Sequence, residues 1–261
     1  MPTFKLTTAY DGTAFCGWQS QPGRRTVQGV VGTAWQAITG EQPDITATSR
    51  TDAGVHAAGQ VVGVRSETHL EPEQLFRALN AKLPSDVVVL SVELAADGFH
   101  ATRDAIGKRY RYRIHNDRRR PLFTRHFVWY LPQPLDVVAM HEAGQSLVGK
   151  HDFASFQSAG SDRKSTVRTI FAVEVTRGID PPANGTGDKD DDSPEIWIEV
   201  EGDGFLYNMV RTIAGTLVAI GSGRRPASWL AEVLAAADRR AAGQTAPPQG
   251  LTLLKVNFPR N

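Results

Sequence analysis

Short period-two segments and longer helical segments follow one another along this chain without a strict strand–helix–strand alternation, and that mixture most limits its fold. Residues 3–10 set Phe4, Leu6, Thr8 and Tyr10 against Lys5, Thr7 and Ala9, as in a strand, and Asp11-Gly12 ends it. Residues 26–39 place Val27, Val30, Val31, Ala34, Trp35 and Ile38 on one helical face, with Thr26 as N-cap and Gly40 as the stop. Residues 44–48 and 60–65 read as strands on either side of a largely polar loop. Glu71-Pro72 opens a helix with Leu75, Leu79 and Leu83 on one face, and the valine-rich residues 86–94 read as a buried strand. Residues 108–115 alternate Arg with Tyr and Ile, so the arginines share one sheet face and Tyr110, Tyr112 and Ile114 the other. Further helices are predicted over 135–148, over 205–220 with Met209, Val210, Ile213 and Leu217 inward, and over 227–237 behind Pro226. Residues 167–175 and 196–200 read as paired strands, and 251–256 as a closing strand. The expected class is α+β, a largely antiparallel sheet with helices packed on it.

A chain of 261 residues that is 41% hydrophobic suits one large domain or two modest ones. No run of about 18 apolar residues is present to span a membrane. Met1-Pro2-Thr3-Phe4-Lys5 lacks the pattern of a signal peptide, and the single cysteine, Cys16, cannot form an internal disulfide. A cytoplasmic chain is expected. The net charge of +1 hides two opposed regions. Arg103, Lys108, Arg109, Arg111, Arg113, Arg118, Arg119, Arg120 and Arg125 crowd one stretch, opposed there by Asp104 and Asp117. Asp188, Asp190, Asp191, Asp192 and Glu195, with Lys189, fall at the end of a loop over about 177–194 that is expected to be a flexible surface segment. A charge run fits a solvated face; one interleaved with Tyr110, Tyr112 and Phe123 also fits RNA, whose phosphates take cations and whose bases take flat partners.

The loop between the second and third strands reads Ser49-Arg50-Thr51-Asp52-Ala53-Gly54-Val55-His56. On extended backbone an Arg two residues before an Asp points the same way, and pairing would hold the carboxylate ionised, as a nucleophile requires. Gly54 would permit a turn with positive φ. By spacing alone the same residues fit a structural salt bridge, and both readings stand at this point.

Six segments in order resemble the tRNA pseudouridine synthase A family. They are Tyr10-Asp11-Gly12-Thr13 through Gly17-Trp18-Gln19 to Thr26-Val27-Gln28; the Arg50-Thr51-Asp52-Ala53-Gly54-Val55-His56-Ala57 loop; Phe99-His100-Ala101 with Lys108-Arg109-Tyr110-Arg111-Tyr112; His151-Asp152-Phe153-Ala154-Ser155-Phe156; Gly204-Phe205-Leu206-Tyr207-Asn208-Met209-Val210-Arg211; and Ala246-Pro247-Pro248-Gln249-Gly250-Leu251. Ser49 stands where the family often has Gly. The resemblance implies a pseudouridine synthase fold of two similar halves sharing a continuous, mainly antiparallel sheet. One half would be residues 1–104 with the Asp52 loop. The other would be residues 105–261 with the basic strand, the acidic loop and the late helix.

The resemblance also implies a tRNA partner, a homodimer, and isomerisation of uridines at positions 38, 39 and 40 of the anticodon stem-loop. Asp52 would be the catalytic carboxylate. Arg50 would hold it ionised or fill the gap left by a flipped uridine. Tyr110 would stack on the uracil or assist proton removal at C5, and Arg211 would pair with Asp52 or reach a phosphate. Arg109 and Arg111 would lie on the phosphate track. His56 is a candidate for substrate contact, though a loop-bonding role suits it better. Taken without the family, Tyr110 also fits a core aromatic and Arg211 a helix-surface arginine. No metal, nucleotide or flavin is needed, and neither GxxxxGK[ST] nor HExxH occurs. The competing readings are a non-catalytic tRNA-binding protein, a metal-dependent hydrolase using Asp52, His56, His151 and Asp152, and a pseudouridine synthase with another RNA target.

Overall fold

The computed structural model describes residues 1–158, 160, 165–178 and 193–259. In chain order its elements are β1 (Thr3–Tyr10), α1 (Val27–Thr39), β2 (Asp44–Ala47), β3 (His56–Arg65), α2 (Pro72–Lys82) and β4 (Val87–Leu94). There follow β5 (Gly107–His115), β6 (Trp129–Tyr130), α3 (Val137–Gly144), β7 (Gly149–Asp152), β8 (Val167–Arg177) and β9 (Glu195–Gly202). The chain closes with α4 (Met209–Gly221), α5 (Trp229–Ala236) and β10 (Leu251–Asn257). Among the described residues, ten strands and five helices make the class α+β, as the mixed periodicity indicates. The chain forms two compact units, Met1–Lys108 with the C-terminal segment from Thr252, and Arg109–Leu251. The closing strand, which sequence order puts in the second half, therefore packs in the first unit.

In the first unit the strands run in the order β4-β1-β3-β10, with β2 also on β3. β1 is antiparallel to both of its neighbours, whereas β10 lies parallel to β3, pairing Thr252 with His56 and Leu253 with Ala57. The alternation of β1 buries Phe4, Leu6, Thr8 and Tyr10 on one face, where the Phe4 ring meets Trp35 of α1 at 5.6 Å between centroids. α1 is capped as its sequence dictates: Thr26 accepts the Gly29 N–H, and Gly40, at φ 75°, donates its N–H to Gln36 O. α2 covers one face of β4, and Asn80 exchanges two hydrogen bonds with the Val89 backbone. β4 is not the fully buried strand its valines suggest. It ends the strand order, so Val87 and Val89 face inward while Val88, Leu90 and Leu94 are exposed.

In the second unit the order is β5-β9-β8-β7, with β6 parallel to β5. β8 and β9 pair antiparallel from Ile170↔Gly202 to Arg177↔Ile196. α4 is buried on almost every face, as a helix running MVRTIAGTLVAIG must be. It begins at Met209, four residues later than the periodicity predicts. Asn208 sits at φ 60° in the left-handed region, which a helix cannot contain and which Asn tolerates better than most residues. α3 is likewise shorter than predicted, ending at Gly144 before a tight turn over Gln145–Leu147. The predicted acidic loop lies largely outside the described residues.

Candidate active site

Asp52 sits at the tip of a loop clamped from both sides by its own unit. On one side the Tyr10 hydroxyl and Thr51 Oγ1 share a buried hydrogen bond of 2.7 Å. Trp18 N–H donates to Thr51 O at 3.0 Å, and Gly54 N–H to Phe15 O at 3.3 Å. On the other side Gln60, fully buried on β3, grips the Ser49 backbone twice. Its Oε1 accepts the Ser49 N–H at 3.2 Å and its Nε2 donates to Ser49 O at 2.6 Å. Val55 N–H closes the turn on Asp52 O at 3.1 Å, and Gly54 takes the positive φ, 77°, expected of it. Glycine at position 12 has a different cause: a Cβ there would overlap the Val55 carbonyl. The result is a half-buried carboxylate on a backbone with little freedom to relax.

The expected Arg50–Asp52 pair does not form. Arg50 is exposed, and among the described residues no ion pair joins it to Asp52, whose interactions are with other groups. The expectation assumed extended backbone, but the loop is irregular and turns at Asp52, so i and i+2 do not share a face. His56 is 3% exposed at the start of β3; its Nδ1 accepts the Gly12 N–H at 3.0 Å and lies 3.2 Å from Asp11 Oδ1. These bonds suit the loop-bonding role. Lys108 Nζ donates to Thr48 O at 2.7 Å, fixing an ammonium beside the base of the loop.

The second unit holds the other expected residues. Tyr110 is buried at 8% exposure, its ring edge-on to Phe205 at 5.2 Å and 84°. Arg211, on the first turn of α4, donates through Nη1 to Asn208 Oδ1 and through Nε to Ala246 O, both at 2.7 Å. The left-handed Asn208 that stops the helix thus also aims the arginine. Tyr112 donates its hydroxyl to Pro247 O at 2.8 Å; burial pushes its phenol far up, and the Arg211 charge pulls it only partly back. Tyr112 is a core donor, and Tyr110 the aromatic of this pair that borders the less buried Phe205.

Arg109 and Arg111 share one face of β5 as predicted, but they do not form an open phosphate track. β9 lies alongside and presents Glu195, Glu199 and Glu201 on the same face. Arg109 pairs with Glu199, with Glu174 at 3.6 Å and Glu201 at 3.9 Å also near; Arg111 meets Glu199 at 2.6 Å and Arg113 meets Glu195 at 2.8 Å. The Arg111 guanidinium also lies 4.0 Å over the Trp197 ring. Glu195 therefore belongs to this ladder and not to the acidic loop. The period-two run Glu195, Trp197, Glu199, Glu201 is the sequence signal for it. His151 and Asp152 lie on β7 in the second unit, Asp52 and His56 in the first. Among the described residues no group of three or more His, Cys, Asp or Glu side chains could hold a metal ion.

A family model described as tRNA pseudouridine synthase matches residues 6–101 and 143–259, which include the Asp52 loop and the Arg211 helix. The chain belongs to the tRNA pseudouridine synthase family. Its relatives match end to end. A tRNA pseudouridine synthase A of Myxococcus xanthus is 43% identical over 260 residues, 99% of this chain and 92% of that protein. One of Geobacillus sp. (strain WCH70) is 42% identical over 97% of each chain. One of Shouchella clausii is 44% identical over 96% of this chain and 91% of that protein. The synthase is thus an RNA-modifying isomerase. Its motif residues fall into two groups: Asp52, Arg50 and His56 in the first unit, and Tyr110, Arg109, Arg111 and Arg211 in the second. Sequence reasoning assigned no role to Gln60, nor to Tyr10 and Phe205 within their motif segments; Tyr10 and Gln60 bond the Asp52 loop and Phe205 meets the Tyr110 ring.

Proposed function

We propose that this synthase converts uridines at positions 38, 39 and 40 of the tRNA anticodon stem-loop to pseudouridine, without a cofactor and with Asp52 as the catalytic carboxylate. The observation that carries this is the doubly clamped, half-buried Asp52 at the tip of the family's signature loop. The tRNA substrate is inferred from the names of the relatives. The reaction breaks the N1–C1′ bond, turns the uracil, and forms a C5–C1′ bond. The C5 proton leaves and N1 gains one, so the change is an isomerisation. Asp52 serves by adding to C1′ or C6, or by taking a ribose proton to give a glycal. A carboxylate held in place before substrate arrives suits each path, because it needs no reorganisation at the moment of reaction. Tyr110 stacks on the extruded base, with its ring braced by Phe205. Arg211, aimed by Asn208, supplies positive charge to a phosphate, and the exposed Arg50 occupies the gap left by the flipped nucleotide. A homodimer follows from the family resemblance.

The test is tritium release from transcribed tRNA labelled at uridine C5, in buffer with chelator, by wild type and Asp52→Asn. Release by wild type and none by the variant supports the assignment. Equal release by both moves the chemistry to another residue. Tight tRNA binding without release by either favours a non-catalytic tRNA-binding protein. Mapping the product sites decides the target positions.

A further inference from the structure

The basic stretch divides into two parts of opposite character. On β5 the arginines face glutamates. Beyond it, residues 116–127 carry no carboxylate after Asp117, and Arg118, Arg119, Arg120, Arg125 and His126 are all exposed. At the crest of this loop Phe123 is 88% exposed and Leu122 65%. Leu122 and Phe123 thus set an adjacent pair of exposed apolar side chains within the cationic loop.

The loop is not loose. The Tyr130 hydroxyl donates to Arg118 O at 2.9 Å, and a His115 ring nitrogen lies 3.1 Å from Arg119 O. Asp117 accepts the Arg119 N–H at 2.6 Å, Arg125 donates to Leu122 O at 2.6 Å, and Phe127 N–H donates to Thr124 O at 2.8 Å. These bonds fix the backbone and leave the Phe123 ring on the outside. The display is built in and is paid for in advance of any encounter.

We infer that residues 116–127 form an RNA-docking element of this synthase, with Arg118 and Arg120 on phosphates and Phe123 stacked on an unpaired base. The inference rests on the reading that the chain acts on tRNA. The chemistry singles out nucleic acid, because a polyanion with accessible flat faces matches clustered cations on both sides of an exposed ring. A symmetric contact with the same loop of a second copy would set the arginines of each against those of the other. The arginines of β5 are paired with glutamates and Arg119 lies 3.6 Å from Asp117, so Arg118, Arg120 and Arg125 are the exposed arginines that remain to meet phosphate.

The test is fluorescence anisotropy of a labelled, unmodified tRNA transcript across a salt series, with wild type, Phe123→Ala and Arg118→Gln/Arg120→Gln. Loss of a base stack weakens binding by roughly tenfold and leaves the salt slope unchanged. Loss of two phosphate contacts lowers the slope of log K against log salt by about 2. In tritium release the loss falls on KM and not on kcat. Binding by both variants within about twofold of wild type, with unchanged slope, overturns the inference. So does a change in sedimentation of Phe123→Ala with tRNA affinity intact, which makes the loop a self-association surface. Wild type that releases no tritium refutes the assigned reaction, while the binding series still decides the loop.

Discussion

Gln60→Leu tests the clamp on the Asp52 loop most directly. The two side chains are of similar volume, so the change removes polarity more than packing. It leaves the buried Ser49 N–H and C=O without the partners they have at 3.2 and 2.6 Å. Each orphaned group costs about 1–3 kcal/mol, so the pair amounts to about 2–6 kcal/mol. At about 2–4 °C per kcal/mol for a chain of this size, Tm falls by about 4–24 °C. Gln60→Glu keeps an acceptor for the Ser49 N–H but sets a buried carboxylate against the Ser49 carbonyl, and it is predicted to be at least as damaging. Asp52 follows three residues after Ser49, so a slackened loop also misplaces the carboxylate. Displacements near 1 Å cost on the order of a hundredfold in rate. Calorimetry reads the first effect. Single-turnover tritium release at saturating tRNA, well below the variant's Tm, reads the second. A Gln60→Leu protein that melts within 1 °C of wild type, by the scale just cited about 0.5 kcal/mol or less, and keeps its single-turnover rate refutes the clamp argument.

Asn208→Ala loses both the left-handed tolerance and the bond that aims Arg211; a Tm drop of about 4–8 °C with reduced kcat is expected, from a loss near 2 kcal/mol. Asn208→Gly should recover most of the stability but not the rate, and equal rates for the two would detach Asn208 from the site. Arg109→Gln should change the salt slope of tRNA binding by well under 1, because Glu199 already neutralises Arg109; a full unit of change would show that the ladder opens onto phosphates. Glu199→Gln leaves Arg109 and Arg111 facing each other without their shared carboxylate and should destabilise by about 2–3 kcal/mol, read as a lowered urea midpoint. Burial raises the Tyr112 phenol, so the folded form binds a proton that the unfolded form releases from about pH 10 upward. Stability is full below that pH and declines above it, and Tyr112→Phe should flatten the decline; an identical slope in both proteins would place the titrating group elsewhere.

Much of the site was legible as pattern. The alternation of residues 3–10, the capped helix from Thr26 and the turn at Gly54 follow from local preferences, because each depends on neighbours within a few positions. The ordered motifs named the family and singled out Asp52, Tyr110 and Arg211. The pairing of residues 167–175 with 196–200 was also legible, but which charges meet across strands or turns was not. Arg50 and Asp52 were two residues apart but not on extended backbone, so they did not pair. Asp44 and Arg65, distant in sequence, did meet, across β2 and β3, at 3.8 Å.

The sequence by itself determined the α+β class, the family and the residue types available for chemistry, since periodicity and motif order are properties of the chain read in one dimension. Tertiary structure alone decided which charges remain open. The same arginine-rich stretch is neutralised where β9 brings Glu195 and Glu199 alongside β5, and exposed where the chain leaves the sheet as a loop. Residues 80 or more positions apart set that difference, because the charge an arginine presents to a ligand depends on the carboxylates within a few ångströms in space and not on its neighbours along the chain.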